Sequence, residues 1–172
     1  KGKKMHQVQA VGQQIATSIQ EGTLIPPLTH QEAMSMAAEA LKRFQVLIES
    51  LADEDWARQT DCSLWTVKDI VAHQAAHVCS VTSFGAFMSQ VNPSVMRPYR
   101  KNGMNMLDAM NQAQVDLRRQ YTTAQLIAEI RDTAQRSLQG RERIPSFVRS
   151  LVLPLPGLDQ PRSLGYLFEL IY

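Results

Sequence analysis

Two histidines, His73 and His77, stand four residues apart in the stretch Ser63-Leu64-Trp65-Thr66-Val67-Lys68-Asp69-Ile70-Val71-Ala72-His73-Gln74-Ala75-Ala76-His77. Imidazole serves as a metal ligand, a general base or a buried hydrogen-bonding group, and its surroundings decide which. Thr66 is a good N-cap residue, and Asp69, three positions on, can answer it as a capping-box acid. Val67, Ile70, Val71, Val78 and Val81 then mark an apolar stripe close to helical spacing. On such a helix both imidazoles project from one face. The pair admits two roles: ligation of a metal inside a helical bundle, or hydrogen-bonded core structure. Two donors at this spacing do not complete a metal site without a third.

The elements that must position these residues read as helices. Val8, Val11, Ile15 and Ile19 give residues 5–21 a loose amphipathic pattern, which Gly22 and Pro26-Pro27 stop. The next helix opens with Thr29 as cap and Glu32 as its answering acid, and Ala37, Leu41, Phe44, Ile48 and Leu51 form its apolar face. Trp56 and Trp65 bracket a connection and are expected to pack into the core or cap its end. The histidine helix is expected over residues 67–90, with Asn92-Pro93 as its stop and a loop over residues 93–103. A further helix spans residues 104–119. Thr122-Thr123 then restarts the pattern, carried by Leu126, Ile127, Ile130, Ala134 and Leu138 to a stop at Gly140. The proline-punctuated stretch 144–162 reads as a crossover, lid or pocket wall, and residues 164–172 as the start of a last helix. No strand alternation, repeat or low-complexity tract is evident.

Composition sets the class. The chain has 172 residues, 44% hydrophobic and 20% charged, enough for a core without disulfides or a structural metal. A net charge of +2, from 18 basic and 16 acidic residues, argues against an obligate nucleic-acid binder. The basic stretch from Arg136 to Arg149, which includes Glu142, reads as solvated surface. Two cysteines, Cys62 and Cys79, make no disulfide framework and point to a reducing, cytoplasmic compartment. No apolar run is long enough to span a membrane, and Gln7, Gln9, Gln13 and Gln14 interrupt any secretory signal core. The eight methionines, including Met34, Met36, Met104, Met106 and Met110, are expected to fill the core. No phosphate-binding glycine loop or nucleophile elbow is present.

The segments Leu51-Ala52-Asp53-Glu54-Asp55-Trp56, residues 60–73 (Thr60 through His73) and Ser163-Leu164-Gly165-Tyr166-Leu167 carry a resemblance. They resemble the DinB-like superfamily, most closely the N-terminal domain of mycothiol-dependent maleylpyruvate isomerases. The likeness covers most of the chain from about Thr29 onward and leaves residues 1–28 outside it. It implies an all-α, DinB-like four-helix bundle (residues 29–172) preceded by an additional N-terminal helix and linker (residues 1–28). It also implies that the residue matching His73 binds a divalent metal, zinc or nickel. In the family the other ligands are a carboxylate or histidine, and a histidine four residues later, on the fourth helix. Glu169 is the only carboxylate in that last segment and no histidine follows it, so the remaining ligands are expected past Tyr172. His77 is expected beside the metal rather than on it.

Such a metal would lower the pKa of the thiol of mycothiol or a similar small thiol, and the sulfur would attack a small-molecule electrophile. The expectation is a bacterial, cytoplasmic, thiol-dependent transferase or isomerase that contacts no nucleic acid or membrane and pairs as a homodimer. The rival is a non-catalytic bundle that has lost the metal and serves as a binding or dimerisation module. An interaction protein using the N-terminal helix as its contact is a third reading.

Overall fold

Capped starts and apolar stripes build a helical body. The structure is a computed structural model that describes residues 28–90, 92–154 and 160–165. Two compact units, Lys1–Gln31 and Glu32–Tyr172, divide the chain, and the candidate site lies in the second. Helix α1 (His30–Glu49) is followed by a 3-10 turn at Asp55–Ala57. Then come α2 (Val67–Ser80), α3 (Phe84–Gln90), α4 (Pro93–Lys101), α5 (Met106–Leu117) and α6 (Thr123–Glu142). The short α7 (Ser146–Arg149) leads into a small antiparallel ribbon of β1 (Val152–Leu153) and β2 (Arg162–Ser163), with Val152 opposite Ser163. The architecture is an all-α bundle, and the ribbon is its one departure among the described residues from the expectation of no strands. Residues 164–165 open a helical turn where the last helix is expected. The expected helix over residues 5–21, and the remainder of the last one, lie outside the described residues.

Helix α2 packs on α6, α5, α3 and the 3-10 turn. Its alanines explain how: Ala72, Ala75 and Ala76 are at most 3% exposed, and small side chains let neighbouring helices approach closely. Leu41 and Ile48 from α1, Val71 and Val78 from α2, and Leu126 and Ile130 from α6 form one core cluster with Trp56. Phe44, Leu51, Ile127, Ala134 and Leu138 pack against it, as their spacing predicts. Met34 and Met96 are buried, but Met36 and Met106 are exposed, so the methionines are only in part core filler. No described helix is long and apolar enough to cross a membrane.

The predicted capping box opens α2. Thr66 Oγ1 accepts from the Asp69 amide, and the Asp69 carboxylate accepts from the Thr66 amide. Thr66→Ala is expected to cost about 1 kcal/mol. The check is a lower urea midpoint at unchanged slope, and an unmoved midpoint contradicts it.

Three expected boundaries are corrected. The histidine helix does not run to residue 90. It ends at Ser80, where the Ser80 and Thr82 hydroxyls donate back to the His77 and Cys79 carbonyls. Ser83 Oγ then accepts from the Ala86 amide and starts α3 afresh. Residues 93–101 are not loop: Asn92 caps α4 through the Ser94 amide, and Pro93 sits in the first turn, where a missing N–H costs nothing. Gly103, at φ 90°, follows that helix in the left-handed region that glycine tolerates. Gly140 does not stop α6, which continues to Glu142. A Cβ on Gly140 would lie 1.9 Å from the Val81 carbonyl oxygen, so this glycine permits a close approach of α6 to the end of α2.

Candidate functional site

The interior of the bundle carries a stripe of polar residues. On α6, Leu126 and Ile130 are buried apolar residues, and the same register continues as Thr133, Ser137 and Arg141. These three are 6%, 0% and 1% exposed. The expectation of a solvated surface from Arg136 to Arg149 is therefore wrong at Arg141. The helical register turns that residue inward, and Gly140 beside it allows the helices to close. Gln114 of α5 is also buried, 5% exposed. Across from these, α2 brings the partly buried His73 and His77 one turn apart.

His73 is held by an aromatic wall. The Trp65 ring lies 5.3 Å from the imidazole, centroid to centroid, tilted by 42°. Trp65 is itself anchored, with Nε1 donating to Gln112 Oε1 at 3.1 Å. Gln112 Nε2 donates to Asp116 Oδ1 at 3.0 Å, and the Tyr99 hydroxyl donates to Asp116 Oδ2 at 2.8 Å. Burial acts to raise the Asp116 pKa, but hydrogen bonds from Arg119, Tyr99 and Gln112 outweigh it and keep the carboxyl below its ordinary value. The chain of bonds ties α4, α5 and the Trp65 loop to the ring beside His73.

The two imidazoles differ in their surroundings. Burial lowers the His73 pKa, and the neighbouring Gln114 side chain opposes that. His73 Nδ1 is buried without a hydrogen-bond partner, and so is Gln114 Oε1. His77 Nε2 lies 3.2 Å from Arg141 Nη2. A guanidinium only donates, so Nε2 accepts and the neutral ring carries its proton on Nδ1. Burial, then the Arg141 charge, then His73 push the His77 pKa down to about 4. Both rings are consequently neutral at pH 7, the form that ligates a metal.

Those facts bear on a divalent cation. His73 fits as one ligand in that its ring is neutral and walled on one side by Trp65. His77 fits less well on the metal, because its Nε2 lone pair already receives the Arg141 proton. Among the described residues no group of three or more His, Cys, Asp or Glu side chains is disposed to hold a metal. Glu169 lies outside the described residues. Trp65 and Ala72 also line a cavity of about 220 Å³ whose walls include Lys68, Gln112, Val115 and Arg119.

Sequence reasoning found His73 and His77 but missed Gln114, Ser137 and Arg141. A signal existed on α6: polar residues at steps of four and three continue an apolar stripe, which is where a buried polar site announces itself. For Gln114 no comparable signal exists, since α5 mixes polar and apolar residues around it.

Among known proteins, the family model described as the mycothiol maleylpyruvate isomerase N-terminal domain matches residues 37–156, more than half of the chain. No curated protein and no solved structure matches it.

Proposed function

Because the chain belongs to the mycothiol maleylpyruvate isomerase N-terminal domain family, we propose that it supports divalent-metal-dependent chemistry on a low-molecular-weight thiol, as a transferase or isomerase with His73 as a metal ligand. The observation that carries this reading is the His73 ring itself. It is a part-buried, neutral imidazole held against the Trp65 ring, within the span that the family model matches. Zinc or nickel suits a nitrogen donor of this kind. The remaining ligands would come from the last helix that the family resemblance implies. Bound there, the metal would supply Lewis acidity that stabilises a thiolate at neutral pH.

The chain's own residues do the rest. Trp65 fixes the plane of His73 and keeps water from one face of it. His77 stays neutral and adds no competing positive charge. Arg141 holds a permanent charge in the interior, positioned by its contact with His77. Such a charge favours an anionic substrate group or thiolate nearby. The free Cys62 and Cys79 agree with a reducing cytoplasm.

The test is metal content of the purified protein by elemental analysis, beside His73→Ala. About one divalent ion per chain is expected in the wild type, with loss in the variant. The metal-free forms should melt within a few degrees of each other. No metal after reconstitution with zinc or nickel would leave a ligand-binding or dimerisation module as the better reading.

A further inference from the structure

His73 and Gln114 pose one problem twice. Each presents a buried polar atom with no hydrogen-bond partner, Nδ1 on the ring and Oε1 on the amide. They belong to helices that pack on each other, α2 and α5. Neighbouring residues close the geometry further: Ala72 and Val115 line the same cavity, and Trp65 touches His73 while bonding Gln112. The two orphaned atoms are chemically complementary. An amide oxygen only accepts, and a neutral imidazole carries one N–H to donate. With Gln114 only 5% exposed, water competes poorly for that oxygen.

We propose that Gln114 is the positioning residue for His73: a side-chain rotation from the unbonded arrangement lets Gln114 Oε1 accept the Nδ1–H, which fixes the neutral Nδ1-protonated tautomer and leaves the Nε2 lone pair available to a cation. This deepens the metal reading and rests on it for its purpose, but not for its test. A ligating imidazole needs its second nitrogen committed to a fixed acceptor, because otherwise the proton sits on the ligating atom for part of the time. The uncharged amide is suited to this interior. A carboxylate at the same place would hold the tautomer more firmly and add a negative charge beside the cation.

The experiment uses the full chain without metal. Long-range proton–nitrogen correlation spectra at pH 7.5, a pH chosen at about one unit or more above the ordinary histidine pKa, read the His73 tautomer, assigned with His77→Gln. The wild type and Gln114→Glu are expected to show Nδ1–H. Gln114→Met, close in volume and lacking an acceptor, should shift the ring towards the other tautomer. A merely structural glutamine would not move this signal. Circular dichroism confirms that each variant is folded, and Gln114→Glu keeps the test decisive if Gln114→Met does not fold.

Zinc titration of the same proteins gives a second reading. Gln114→Met should weaken zinc affinity about 10–100-fold relative to wild type, with Gln114→Glu restoring it. A wild-type His73 protonated on Nε2, or a Gln114→Met spectrum identical to wild type, overturns the proposal. If the tautomer behaves as expected and zinc does not bind, the pairing stands and the metal function fails.

Discussion

Gly140→Ala is expected to destabilise the protein by about 2–3 kcal/mol, although alanine is the better helix former. In an exposed helix interior the substitution would stabilise by about 1 kcal/mol. Here the added Cβ would meet the Val81 carbonyl oxygen at 1.9 Å and its carbon at 3.1 Å. Both are backbone atoms at the end of α2, so neither can swing aside as a side chain would. α6 must move away from α2, opening the packing on which both helices depend; overpacking of this kind costs about 1–3 kcal/mol, more where backbone must shift.

The movement also has a local consequence. Arg141 follows Gly140 directly, and its 3.2 Å contact with His77 lengthens when α6 withdraws. The variant should therefore unfold at lower urea and show a His77 pKa moved back towards the ordinary imidazole value. A melting temperature at or above that of wild type would falsify the close approach.

A second large effect is acid sensitivity centred on His77. Its pKa is about 4 in the folded protein against an ordinary 6.5, through burial first and the Arg141 charge second. A folded-state pKa below the unfolded value means that the unfolded chain binds the proton more readily. The contribution is fully present above about pH 6.5, is lost as pH falls towards 4, and is exhausted below that. At about 1.36 kcal/mol per unit, the whole interval amounts to about 3 kcal/mol. His73, whose pKa burial also lowers, acts in the same direction. Arg141 from α6 and His73 from its own helix are among the groups that act on His77. Urea unfolding of the metal-free protein at pH 7 and pH 4.5, against His77→Gln, isolates the effect from carboxylate titration. Wild type should lose about 2–3 kcal/mol more than the variant across that window. Parallel losses in the two proteins would contradict a neutral, buried His77.

The sequence by itself determined the local elements. Thr66 and Asp69 write the start of α2, and Leu41, Phe44 and Ile48 write the inward face of α1. The histidines share a face because residues four apart on a helix must. These are interactions within one or two turns, where spacing and capping chemistry leave little freedom. Trp56 in the core was legible for the same reason, as a large apolar ring next to an apolar stripe.

Tertiary structure decided what those elements are for. Asn92-Pro93 is compatible with either a stop or a capped start, and packing of α4 on α5 selects the start. Gly140 has the same chemistry as a terminator or as a crossing point, and only the Val81 carbonyl distinguishes them. Arg141 is basic in a basic stretch, yet it lies inside because α6 turns it towards His77, 64 positions earlier in the chain. That His73 and Gln114 sit on helices packed against each other likewise depends on how α2 and α5 dock. No local pattern encodes such encounters, because their energies come from burial between distant segments and from the partners that burial obliges polar atoms to find.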